Sequence, residues 1–396
     1  MKLTQQQKDF IRQNEHKDVR ELALRLDKDE YWELDVEFVL KQISGRQTAK
    51  DKLPSWFTNN EIIYPVHLSL EQASSEATAK YKASLIPDGN TTFVDLTGGM
   101  GVDFAFLSQR FANSVYVEKN QKLCEIAKHN FEVLGLQNVV IENSTSESYL
   151  EKISEVDVIF LDPSRRDNAG RKVIRIEDCS PDVSEIQDLL LEKSKLILVK
   201  LSPMLDISLA IKSLKNIKEV HVASVENECK ELLFLLSSEA ETITYTAVNL
   251  NKTKDAEKFY FTLEEEQDTE VAYAKTIEKY LYEPNASILK AGGFKSVAKQ
   301  FDIKKLHASS HLYTSDTLIP NFPGRVFEVK NWFTPNKKNI KLFLSETKKA
   351  NISVRNFPMS VSEIRQKTGL KEGGYVYLFA TTLADGEKVW VVGERV

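Results

Sequence analysis

Phe93-Val94-Asp95-Leu96-Thr97-Gly98-Gly99-Met100-Gly101-Val102-Asp103 decides the reading of this chain. A short apolar run ends in a carboxylate, a glycine-rich turn follows, and helix-forming residues come next. The pattern predicts a buried strand, a tight turn and a helix, the arrangement with which an open α/β sheet receives a nucleotide-like ligand at a strand end. Glycine allows the sharp turn and leaves no side chain in the ligand's way. Val115-Tyr116-Val117-Glu118 sets a second carboxylate at the end of the next strand, where it suits ribose hydroxyls. Val158-Ile159-Phe160-Leu161-Asp162-Pro163 is a third apolar strand, closed by Asp-Pro. The glycines do not follow the dinucleotide spacing G-x-G-x-x-G, and no Gly-Lys-Ser/Thr marks a P-loop.

Asp95 with its glycines, Glu118 and Asp162-Pro163 together resemble a class I S-adenosylmethionine-dependent methyltransferase; another α/β nucleotide binder is the competing reading. The resemblance implies S-adenosylmethionine as cofactor. Asp95, Gly98, Gly99 and Gly101 would hold its amino-acid end, Glu118 its ribose, and Asp103 and Asp162 complete the contacting set. Asn143, just past the strand at 139–141, stands where an adenine contact is expected, or is a plain turn residue. Gln72 and Ser75, in a helix predicted over 70–81, either wall the cofactor pocket or merely cap the helix.

The rest of the chain fits this frame. At 396 residues it is long enough for two to four domains, and its net charge of -5 excludes a strongly basic protein while leaving room for a local basic face. Cys124, Cys179 and Cys229 form neither a metal pattern nor a disulfide framework, and His307 with His311 is too little for a metal site, although their spacing suits one helix face. No metal is expected. The polar N-terminus lacks a signal-peptide core, and no window approaches the roughly 18 apolar residues of a membrane span, so a cytoplasmic protein is expected.

Strands are predicted at 93–96, 115–118, 139–141, 156–161, 195–201, 220–225 and 231–236, with helical patterns between the earlier ones. The short link Asn227-Glu228-Cys229-Lys230 makes the last two an antiparallel pair. The fold class expected is α/β: a Rossmann-like, seven-stranded class I methyltransferase core, with a helical N-terminal region and α+β C-terminal domains. The expected division is 1–60 helical, 61–238 methyltransferase, 239–320 connecting and 321–396 C-terminal, where a resemblance to bacterial class I methyltransferases implies a ferredoxin-like region within 239–320 and a THUMP-like domain over 321–396. Residues 276–318 read as a compact helical unit, and Lys337–Ala350 as a basic helix.

Asp162-Pro163-Ser164-Arg165-Arg166-Asp167 is the most distinctive local sequence. Amino-group methyltransferases usually carry Asp or Asn, Pro, Pro and an aromatic here; Ser164 and Arg165 replace the second proline and the aromatic. Asp162 would orient the acceptor or take its proton. Arg165 and Arg166 would bind phosphate or stack on a base, or else pair with Asp103 or Asp167. The turn also resembles that of RNA pyrimidine C5-methyltransferases, but Val199-Lys200-Leu201-Ser202-Pro203-Met204 lacks the cysteine nucleophile they need. Arg325, Lys330, Lys337, Lys338, Lys341, Lys348, Lys349 and Arg355, with Trp332 and Phe333 among them, read as an RNA-binding face or a solvated one.

Over most of its length the chain resembles bacterial class I methyltransferases with a THUMP-like C-terminal domain. The likeness rests on Glu71-Gln72-Ala73-Ser74-Ser75, the glycine-rich strand, Asp162-Pro163-Ser164-Arg165-Arg166, Tyr282-Glu283-Pro284-Asn285, Ser310-His311-Leu312-Tyr313 and Arg355-Asn356-Phe357-Pro358-Met359-Ser360. It implies methylation of structured RNA, tRNA or rRNA. The alternatives are a protein or small-molecule acceptor, and a non-catalytic RNA-binding protein with a methyltransferase-like core.

Overall fold

Seven strands carry the chemistry-bearing part of the chain, and their order follows from which segments are apolar enough to be buried on both faces. The computed structural model describes residues 2–26, 34–65, 67–165 and 175–396. Within these, β1 is Thr92–Asp95, β2 Asn113–Val117, β3 Val139–Glu142, β4 Val156–Leu161, β5 Ser194–Leu201, β6 Ile217–Val225 and β7 Glu228–Leu236. Within residues 1–219 and 231–241 their order is 3-2-1-4-5, with Glu231–Leu236 of β7 next to β5. β1 runs parallel to β2 and β4, with Val94 opposite Val115 on one side and Ile159 on the other. β7 is antiparallel to β5, with Val199 opposite Phe234. The reversal comes from a two-residue turn, Glu226–Asn227, in which both residues have positive φ; a turn of that kind matches the twist of a hairpin. Parallel strands need both faces covered. Accordingly Val158, Ile159, Phe160, Ile197, Leu198 and Val199 are all inaccessible to solvent.

The chain falls into two units. The first contains 1–219 and 231–241, the second 220–230 and 242–396. In the first, the N-terminal helices Gln5–Asn14, Val19–Arg25 and Val36–Lys52 enclose Ile11, Leu22, Val39, Ile43 and Ile63. The single helix predicted over 70–81 is instead two, His67–Gln72 and Glu76–Ser84. The break has a local cause. The Ser75 hydroxyl accepts from the Thr78 N–H and starts the second helix, while the Ser74 hydroxyl donates to Asp103 at 2.7 Å.

In the second unit, Val220–Val225 of β6 runs beside β8 (Thr244–Leu250), which pairs antiparallel with β9 (Glu257–Thr262). A second sheet holds β10 (Tyr280–Pro284), β11 (Tyr313–Ser315), β12 (Gly324–Phe333), β13 (Asn351–Val354), β14 (Val376–Thr382) and β15 (Lys388–Arg395). Its order is Lys304–Lys305, β11, β10, β12, β15, β14, β13, and only β13–β14 is parallel. Residues 276–318 are therefore not purely helical. Tyr280–Pro284 is a central strand, followed by helices Ala286–Ala291 and Phe294–Phe301. The basic helix ends at Glu346, short of the predicted Ala350. No described helix is long and apolar enough to cross a membrane.

Candidate active site

The carboxyl ends of β1, β2 and β4 open onto a cleft of about 360 Å³. The glycine-rich turn forms its floor through backbone hydrogen bonds that no side chain could replace. Gly98 N–H donates to the Val117 carbonyl (2.9 Å) and Gly101 N–H to the Gly98 carbonyl (2.8 Å). A Cβ on Gly98 would fall inside the Tyr116 ring, whose hydroxyl donates to the Gly99 carbonyl. Gly101 has φ +82°, a left-handed conformation that glycine adopts without strain.

Glu118 is held at the end of β2 by the backbone. One carboxylate oxygen accepts from Gly99 N–H (2.9 Å), the other from Asn120 N–H (2.8 Å). Each oxygen keeps a further lone pair for a ligand hydroxyl. Asp95, at the end of β1, is buried and accepts from the Thr97 N–H. Burial pushes its carboxyl well above the usual range; nearby Asp103, Asp162 and Glu118 push the same way, and the Thr97 hydrogen bond opposes them. Thr97 also joins two strand ends, since its hydroxyl accepts from the Asp162 N–H (2.6 Å).

Of the residues predicted to form the site, Gln72, Asp95, Gly98, Gly99, Gly101, Asp103, Glu118 and Asp162 all line this cleft. Ser75 is spent as a helix cap and does not line it. Asn143 also lies off the cleft wall, its amide donating to the Glu118 carbonyl at 2.9 Å. Arg166 lies outside the described residues. Arg165 is placed only as backbone, in a two-residue strand pair with Cys179–Ser180. Asp103 does not take an arginine partner among the described residues. It meets Lys82 at 3.1 Å and Lys200 at 3.7 Å, and these ammoniums, with Ser74, hold its carboxyl below the usual range against the opposing effect of burial.

Sequence reasoning missed three charged groups here. Lys82, wholly buried, is gripped by both oxygens of Glu231 at 2.6 and 2.7 Å. Lys200, near the end of β5, pairs with Asp162. A lysine closing the apolar run 196–199 at the cleft end of β5 was a readable signal; Lys82 and Glu231 sit among other charged residues and gave none.

The other candidates lie in the second unit. His307 and His311 share no helix. His307 Nδ1 accepts from the Ser309 N–H, whereas His311, at φ +52°, stacks on Phe294 with centroids 3.6 Å apart. Arg325 and Arg355 turn inward to buried Glu283, and Lys330 pairs with Glu328. Lys337, Lys338, Lys341, Lys348 and Lys349 are exposed.

Comparison with known proteins adds to this geometry. Family models match residues 81–228 (conserved hypothetical protein 95), 280–323 (ferredoxin-like domain) and 324–395 (THUMP domain-like). No curated protein matches the sequence. An rRNA methylase from Streptococcus thermophilus is similar over 40% of this chain and 94% of its own, at 14% identity and a TM-score of 0.31. A "putative methyltransferase" from Porphyromonas gingivalis W83 is similar throughout, at 34% identity and a TM-score of 0.87, over 98% of this chain and 97% of its own. With the P. gingivalis protein, this chain belongs to a methyltransferase family that joins a class I core to ferredoxin-like and THUMP-like domains.

Proposed function

We propose that the chain transfers a methyl group from S-adenosylmethionine to a base of structured RNA, tRNA or rRNA, with Asp162 facing the acceptor. The observation that carries the reading is the acidic cleft: Asp95, Asp103, Glu118 and Asp162 all line it, around a floor of glycine backbone. Such a set of acceptors fits a ligand carrying an ammonium, a sulfonium and ribose hydroxyls. Asp95 and the glycines would hold the amino-acid end, and Glu118, already fixed by two N–H donors, would accept from the ribose. When bound, the cofactor supplies an activated methyl. An amine acceptor that took this methyl would have a proton to lose. Asp162 would orient the acceptor and take its proton.

Two observations favour RNA as the acceptor: the THUMP domain-like match over 324–395 and the exposed lysines around the helix Lys337–Glu346. In this reading 61–238 carries the chemistry and 321–396 engages the polyanion. The test is transfer of labelled methyl from S-adenosylmethionine into total RNA, with total protein in parallel, both from cells lacking this chain. Label in one RNA size class is the expected result; label only in protein, or in neither pool, overturns it.

A further inference from the structure

A line of alternating charges runs through the first unit to the cleft. Glu231 of β7 grips Lys82 of the helix Glu76–Ser84. Lys82 meets Asp103 of the helix Val102–Leu107, Asp103 faces Lys200 of β5, and Lys200 holds Asp162 beyond β4. The first four side chains are buried, Lys82 completely. Removing ions from water is costly, and a buried ion pair is weak evidence for stability, since apolar replacements often do as well. Its neighbours along β5 are apolar: Ile197, Leu198, Val199 and Leu201 are all buried. A cation at position 200 therefore calls for a reason beyond packing.

That reason lies in what Lys200 touches. Its Nζ pairs with Oδ2 of Asp162, and the Asp162 N–H is tied to Thr97. Among the described residues, Oδ1 of Asp162 accepts from no protein group and belongs to a side chain on the cleft wall. Lys200 is itself backed by Asp103, and Asp103 by Lys82 and Ser74.

We infer that Lys200 is a positioning residue for methyl transfer: it ties one oxygen of Asp162 so that the other meets the acceptor, and the Asp103–Lys82–Glu231 line holds Lys200 in place. The inference rests on the reading of Asp162 given above. Lys200 is no proton acceptor in this arrangement. Burial opposes its charge, but Asp162, Asp103 and Glu231 outweigh burial and hold its proton well above the usual lysine range. Its part is geometric, and a misplacement of about 1 Å in such a site costs transfer about 100-fold.

The experiment compares wild type, Lys200→Met, Lys200→Arg, Asp162→Asn and the Lys200→Met/Asp162→Asn pair. The assay uses labelled S-adenosylmethionine and total RNA from cells lacking the chain. Cofactor affinity is read calorimetrically with S-adenosylhomocysteine. Lys200→Met is expected to lower kcat about 100-fold, with KM for RNA and S-adenosylhomocysteine affinity within about threefold of wild type. Lys200→Arg should recover at least about tenfold of the loss, and in the Asp162→Asn background Lys200→Met should change transfer less than about threefold. Full activity in Lys200→Met, or an equal loss with and without Asp162, overturns the inference. If Lys200→Met does not fold, Lys200→Gln is read in the same way. Crystal structures supply a readout that needs no acceptor: the Asp162 carboxylate should turn away in Lys200→Met and stay in Lys200→Arg, and an unmoved carboxylate in Lys200→Met overturns the inference. If wild type methylates neither RNA nor protein, the proposed function fails, while the crystallographic arm still decides the role of Lys200.

Discussion

Each unit buries a carboxylate between two cations, and the two arrangements end differently. In the first unit Asp103 lies between Lys82 and Lys200, and the line continues to a carboxylate at either end, Glu231 and Asp162. Three acids face two bases. In the second unit Glu283 lies between Arg325 and Arg355, with Arg325 Nε donating to it at 2.8 Å and Arg355 at 2.9 Å. Two bases face one acid, and about a third of each arginine side chain reaches solvent. The lysine line delivers surplus negative charge to a cleft wall, as a cationic ligand requires. The arginine trio keeps its surplus positive charge among the strands, where planar, forked donors join Glu283, and Arg355 Nε lies buried without a partner among the described residues. A buried ion cluster thus acquires meaning from where its unpaired end points.

Breaking the acid end gives the largest expected effect. Asp162→Ala should lower methyl transfer by about 10²–10⁴-fold while S-adenosylhomocysteine affinity falls far less, and unchanged turnover would remove Asp162 from the site. Breaking the arginine trio should do the reverse. Glu283→Ala leaves two guanidiniums without their shared partner and should destabilise the second unit by about 2–4 kcal/mol in chemical denaturation. Cofactor affinity should stay unmoved; a weakened Kd would mean that the trio is not confined to structure. Glu118→Ala tests the cleft's other wall. Loss of a charge-assisted acceptor should weaken S-adenosylmethionine binding about 10- to 100-fold by calorimetry, and an unaltered Kd counts against its role.

Acid should separate the units by pH. His311 is pushed down to about 4 by burial, with Lys305 and Arg355 adding to it. A group depressed in the native state contributes stability above its unfolded value and loses it as pH falls. Ser310, next to His311, bonds to Thr381 and Thr382 of β14, so amides of β14 should lose hydrogen-exchange protection between about pH 6.5 and 4, by about 1–2 kcal/mol given the partial exposure of the ring, and His311→Phe should abolish the trend. The smallest effect belongs to Asp157. Hydrogen bonds from Thr91 and Thr92, backbone and hydroxyl, hold it at about 2. Its contribution should vanish only as pH falls from about 4 toward 2, and Asp157→Asn should cost under about 1 kcal/mol at neutral pH.

The same contrast separates what the sequence disclosed from what it concealed. All seven core strands were legible, because apolar runs bounded by polar turns leave few other fates. Asp95, Glu118 and Asp162 were legible because each ends such a run. Tyr280–Pro284 was not, since five residues of mixed character decide nothing until Arg325–Glu328 pairs beside them. Lys82 and Glu231 lie 149 positions apart, and only the folded sheet makes them partners. The histidine spacing misled because a left-handed residue at 311 ends any helical continuation.

Gly98 and Tyr116 carry one more consequence, a matter of descent. The ring fills the space that a Cβ at 98 would need, and its hydroxyl latches the carbonyl of the next residue. Neither position is free to drift alone: a larger residue at 98 demands a smaller one at 116, and a smaller one at 116 releases the turn. Lineages of this chain should therefore inherit the two together, and a homologue that has lost the tyrosine should also have rebuilt the turn that Gly99 closes.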